Sequence, residues 1–132
     1  MIALMQDLQV GSNYSLAQIM KAYHADPPTG EDEPFYILHR GEEIVALCLR
    51  HKFHPEPGEV WLAGDPAAAL WGERLAQCQA KQTVPLYFCP GGRRFYEFKG
   101  RHLITGETTD PKDLATRKAH APLSRVVFLK KA

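Results

Sequence analysis

The sequence predicts an α+β fold. A single domain over residues 1–132 is expected, a small mixed, mostly antiparallel pseudo-barrel of about six strands with three short helices. Three observations carry this expectation. Short runs rich in β-branched and aromatic residues are separated by turn residues, the pattern of hairpins rather than of a parallel βαβ sheet. Capping residues open three short stretches that suit helices packed on one side of the sheet. Gly100 interrupts a strand-like run, as a bulge or bend in a closing sheet requires.

Taken in order, the chain begins with an extended segment at Leu8-Gln9-Val10 and a turn at Gly11-Ser12-Asn13. Ser15-Leu16-Ala17-Gln18 has capping-box spacing, and Tyr14 and Ile19 bracket it as a hydrophobic staple, so a helix is expected over roughly 16–23. Residues 24–34 form a loop, with tandem prolines and the acidic run Glu31-Asp32-Glu33, which would repel phosphates. Phe35 to His39 and Glu43 to Leu49 are strand-like and meet across Arg40-Gly41-Glu42 as a hairpin. Arg50 to Gly58 is a loop and Glu59 to Ala63 a third strand. Asp65 and Pro66 then make an N-cap with a first-turn proline. Trp71, Leu75 and Cys78 share one face of the helix, with Leu70 flanking it, and the helix stops before Val84-Pro85. Val84 to Phe88 and Tyr96 to Arg101 flank Pro90-Gly91-Gly92 as a second hairpin, whose later strand runs bent through Gly100 to Ile104. Thr109-Asp110-Pro111 repeats the cap-and-proline device, with a helix near 111–118. Ser124 to Leu129 is apolar on both faces, hence a central or barrel-closing strand.

Composition narrows the class. Hydrophobic residues at 45% and charged residues at 23% are ordinary globular values. No apolar run reaches the roughly 18 residues of a membrane span. The first residues lack a basic start and a long apolar segment, so no signal peptide is expected. Three cysteines, Cys48, Cys78 and Cys89, lie in apolar contexts, which points to reduced thiols in a cytoplasmic protein. The net charge of +1 is unevenly spread: residues 1–90 hold 6 Lys+Arg against 11 Asp+Glu, and residues 91–132 hold 10 against 4. A basic last third suits an anion-facing surface, and equally a solvated one.

Most catalytic signatures are missing. Cys48, His51 and His54 are loosely spaced like ligands, but the paired spacings of zinc sites are absent, and no metal or cofactor is expected. There is no Gly-x-Ser-x-Gly elbow and no phosphate-binding glycine loop. Glu97 could act as a general base, with Lys99 as its neighbour, or simply face outward. The most suggestive feature is the interleaving of Phe88, Phe95, Tyr96 and Phe98 with Arg93, Arg94, Lys99 and Arg101. Rings beside cations suit unpaired or flipped bases, although strand alternation sends some of them into a core.

Several stretches carry a resemblance. Gly11 and Tyr14 before a capped helix, Ala46-Leu47-Cys48-Leu49-Arg50 leading to Pro55 and Pro57, Gly64-Asp65-Pro66, Val84-Pro85-Leu86-Tyr87-Phe88 and Tyr96-Glu97-Phe98-Lys99-Gly100-Arg101 resemble the SRA-like and PUA-like modules of modification-dependent restriction systems, a group that includes EVE and ASCH domains. The resemblance spans Leu8 to Leu129. It implies a pseudo-barrel holding a modified or flipped base in an aromatic pocket. It points to Arg50, Asp65, Tyr96 and Arg101 near that pocket or the phosphates. His54 stands where the family has Asn before Pro, and Tyr96 where it has Trp. With Arg93, Arg94, Phe98 and Lys99 of the hairpin, these form the expected nucleic-acid-binding set.

The expected activity is therefore base recognition without catalysis, on DNA rather than RNA. A nuclease partner would supply any cutting. One alternative is a small ASCH-like hydrolase acting on a modified nucleoside through Glu97 with Lys81 or Lys99. Another is a protein-interaction module of a defence operon, using the acidic run 31–33.

Overall fold

Local helix signals are realised at the atoms that carry them. The computed structural model describes residues 8–27, 36–56, 58–78, 82–92, 94–119 and 122–132. The Gln18 amide donates to Ser15 Oγ (3.2 Å) and the Ser15 amide to Gln18 Oε1 (2.8 Å), a reciprocal box that opens α1, Leu16–Ala22. Asp65 Oδ2 accepts from the Ala68 amide (3.0 Å) and caps α2, Pro66–Ala76. Asp110 Oδ1 accepts from the Lys112 amide (2.9 Å) and caps α3, Pro111–Ala115. This last helix is shorter than the expected 111–118. The Thr116 hydroxyl and Arg117 Nη1 both donate to the Asp113 carbonyl, each at 2.7 Å, and so occupy an acceptor that a further turn would use.

The strands are β1 (Asn13–Tyr14), β2 (Ile37–Arg40), β3 (Glu43–Arg50), β4 (Glu59–Ala63), β5 (Thr83–Cys89), β6 (Tyr96–Thr108) and β7 (Leu123–Lys131). They form one curled half-barrel sheet in the order β2-β3-β5-β6-β7-β4, with β1 paired to β6. Both expected hairpins, β2–β3 and β5–β6, are present. Among the described pairings only β3–β5 is parallel. The start of the chain bonds to β6 from Gly11 rather than from Leu8-Gln9-Val10: the Gly11 amide donates to the Phe98 carbonyl (2.9 Å), after a turn closed by the Ser12 amide on the Gln9 carbonyl (3.1 Å).

The bend in β6 has a local cause. Gly100 adopts φ +89°, a conformation that disfavours a Cβ, and the β5–β6 register slips between Pro85 and Tyr87 opposite it. Pro85, which has no amide hydrogen to donate, sits at that slip. On the edge away from β5, β6 pairs with β1 before Gly100 and with β7 after it.

Both faces of the sheet are covered, not one. Ile44, Leu47 and Leu49 of β3 join Trp71 and Leu75 of α2, while Val45, Ala46 and Cys48 join Ile19 of α1 and Tyr23, its C-cap. A strand apolar on both sides needs cover on both. Leu70, expected to flank the packed face of α2, is exposed. β7 lies between β6 and β4, as its two-sided pattern requires.

Among the described residues β2 and β4 are the edges of the half-barrel, and side chains join them. Trp61 of β4 lies opposite Val126 of β7, yet its amide donates to His54 Nδ1 (3.0 Å) and its carbonyl accepts from the Tyr36 hydroxyl (3.4 Å). In an antiparallel pair both backbone groups of a residue point the same way, here toward the gap. Tyr36 precedes β2 and His54 follows β3, so two side chains stand in for a missing neighbour strand. The three cysteines carry no disulfide, and no described helix is long and apolar enough to cross a membrane.

Candidate nucleic-acid interface

Parallel pairing of β3 with β5 brings two distant loops together. Arg50 and Cys89 are paired at the ends of their strands, and the His51 amide donates to the Cys89 carbonyl (3.0 Å). The segment after β3 and the β5–β6 turn therefore leave the sheet side by side. Arg50 Nε donates to the Tyr96 hydroxyl (3.0 Å) with the guanidinium 5.3 Å from the ring centre, which fixes the cation at this rim. Burial raises the Tyr96 pKa against the opposing pull of Arg50, so the phenol stays neutral. Phe53, 50% exposed, follows Arg50 in a turn closed by its amide on the Arg50 carbonyl (3.0 Å), and Phe95, 52% exposed, precedes Tyr96 in the chain. Lys52 Nζ sits 5.5 Å from the Phe53 ring centre, and Arg94 is exposed beside Phe95.

The residues expected from sequence do not share one place. Arg50 and Tyr96 come together at this end of the sheet, and Arg94 is exposed two residues before Tyr96. Phe98 does not join them. It is 2% exposed and stacks on Tyr87 (4.6 Å between centres), whose hydroxyl shares a 2.7 Å hydrogen bond with that of Tyr23. Alternation sends Tyr96 and Phe98 to the α1 face and Glu97 and Lys99 to the other, so the sheet face beneath the rim is filled by the protein's own rings. Lys99 Nζ is taken up by Glu97 Oε2 at 3.1 Å, on a partly exposed surface. Arg101 lies toward the opposite end: its Nη1 donates to the Thr83 carbonyl (3.1 Å) and hydroxyl (3.2 Å). Thr83 is six residues from Cys89 along β5, or about 20 Å.

His54 and Asp65 have architectural places. His54 is 3% exposed and accepts from Trp61, while Asp65 caps α2. Arg93, Lys81 and the acidic run 31–33 lie outside the described residues.

Phe53 and Lys52 were not among the expected residues. Their signal was faint but physical: a large ring in a polar loop has no strand alternation to bury it. A cleft of about 620 Å³ lies elsewhere, between α3 and the start of β7, where Pro111, Leu114, Leu123 and Arg117 are among its lining residues. Its described lining holds no aromatic ring. Arg117 is bound bidentately to Glu59 (2.8 and 3.1 Å), and these hydrogen bonds hold the Glu59 carboxyl below its usual range.

Comparison with known protein families, with characterised proteins and with solved structures finds no match.

Proposed function

We propose that this chain is a nucleic-acid-binding module that takes hold of bases displaced from a stack and does not itself catalyse a reaction. One observation carries the proposal: two half-exposed phenylalanines, Phe53 beside Lys52 and Phe95 between Arg94 and the Arg50-bound Tyr96, lie on the two loops that leave the paired ends of β3 and β5. Large rings in the open cost free energy in water, and rings bracketed by cations suit bases attached to phosphates. The sequence resemblance to SRA-like and PUA-like modules adds support, since it implies a curled, mostly antiparallel sheet. It extends the proposal to a modified base, on DNA, with a separate nuclease where cutting is needed. The contact rings differ from those expected, since Phe98 is packed in the core and Phe53 and Phe95 take the exposed places.

The test is fluorescence anisotropy with labelled oligonucleotides, plain and base-modified. Three cations on a single strand predict a log–log salt slope of about −2. If no oligonucleotide binds at about 50 mM salt, where phosphate contacts are strongest, the proposal fails.

A further inference from the structure

We infer that the nucleic acid taken at this end of the sheet is an unpaired strand, with Phe53 and Phe95 as stacking platforms for two of its bases. This rests on the nucleic-acid function proposed above and names its substrate class. A base flipped from a duplex needs an enclosed slot. The rings that could have lined one, Tyr87, Tyr96 and Phe98, are buried and packed on one another or on α1. The exposed rings instead sit on two loops at the rim, each about half open to solvent. Bases in an intact duplex hide their faces from such loops, whereas every base of a single strand offers one.

Charge supports the same choice. The cations nearest the rings in the chain, Arg50, Lys52 and Arg94, belong to the segments that meet where β3 pairs with the end of β5, with carboxylates Glu56 and Glu97 close in sequence on either side. One small group meets one phosphate row. The other strong group of cations, Arg101, Lys130 and Lys131, is placed toward the far end of the sheet, where Lys130 and Lys131 pair with Leu103 and His102. A duplex laid across the sheet would engage both groups. A single strand held at the rim engages only the first.

The experiment compares a labelled single strand of about 12 nucleotides with the blunt duplex of the same sequence, a length within the range of single-strand sites. The proteins are the intact chain, Phe53→Ala, Phe95→Ala and the double variant Lys130→Ala/Lys131→Ala. The single strand is expected to bind at least about tenfold more tightly than the duplex. Each phenylalanine variant should weaken it by about tenfold, and Phe53→Trp should retain binding. Lys130→Ala/Lys131→Ala should leave single-strand affinity within about twofold, since those cations lie off the path. Both rings are half exposed, so the alanine variants should unfold at nearly the parent temperature, and a melting curve checks this. Equal or tighter duplex binding overturns the inference while the nucleic-acid function stands. Unchanged single-strand affinity in both ring variants does the same. Absence of binding to either probe overturns both.

Discussion

His54→Asn probes how the two open edges of the sheet are held. His54 Nδ1 accepts from the Trp61 amide at 3.0 Å, so the hydrogen of the neutral ring resides on Nε2. Protonation would place a second hydrogen on Nδ1, facing an amide that already points there. The ring is 3% exposed, with Tyr36 edge-on at 4.5 Å, and burial lowers its pKa from 6.5 to about 4. The unfolded chain thus takes up a proton near pH 6.5, while the folded chain resists until about pH 4. Between those values the unfolded state binds more protons, so stability falls as the pH is lowered. At about pH 4.5 the loss from this one group is about 2.5 kcal/mol, approaching about 3 kcal/mol below the folded pKa. Asparagine can offer Oδ1 to the Trp61 amide but does not titrate. Urea unfolding of both proteins at about pH 7.5 and about pH 4.5 isolates the effect, because carboxylate contributions such as that of Glu59 cancel in the difference. At neutral pH the variant should be weaker by about 1–2 kcal/mol, from the lost ring packing. On acidification the gap should close and then reverse. A difference between the two proteins that does not change with pH would refute this account of the seam.

The remaining predictions concern packing and the division between architecture and interface. Gly72 of α2 faces Leu62, and a Cβ there would lie 2.7 Å from Leu62 Cγ. Gly72→Ala should therefore lose about 1–3 kcal/mol to overpacking against a helix-propensity gain of about 1 kcal/mol, with net destabilisation in thermal melts. A melting temperature above the parent's would show that α2 shifts without strain. Asp65→Ala should cost about 1 kcal/mol of stability and leave oligonucleotide affinity unaltered, because its carboxylate caps α2. Arg50→Ala should do the reverse, weakening oligonucleotide binding several-fold and reducing the salt slope by about 0.7. Equal effects of these two substitutions on binding would contradict the separation drawn between cap and rim.

The helices and their starting points were legible because their causes are short-range. Ser15 with Gln18, Asp65 with Pro66, and Asp110 with Pro111 each act within four residues, and each appears in the structure at the expected atoms. The two hairpins, the bend at Gly100 and the two-sided last strand were legible for the same reason, since alternation and turn chemistry are written locally. Sequence alone also placed rings and cations around residues 93–101. It did not separate Phe95, which is exposed, from Phe98, which is core, because that depends on which sheet face α1 covers. Nor did it bring the Phe53 loop beside the end of β5 or His54 to Trp61. Those neighbours exist only because Leu47 pairs with Leu86 across the parallel β3–β5 ladder and because the sheet curls until β4 meets Tyr36 and His54. Closure of a sheet is a long-range event, decided by the burial of two apolar faces together, and no window of a few residues contains it.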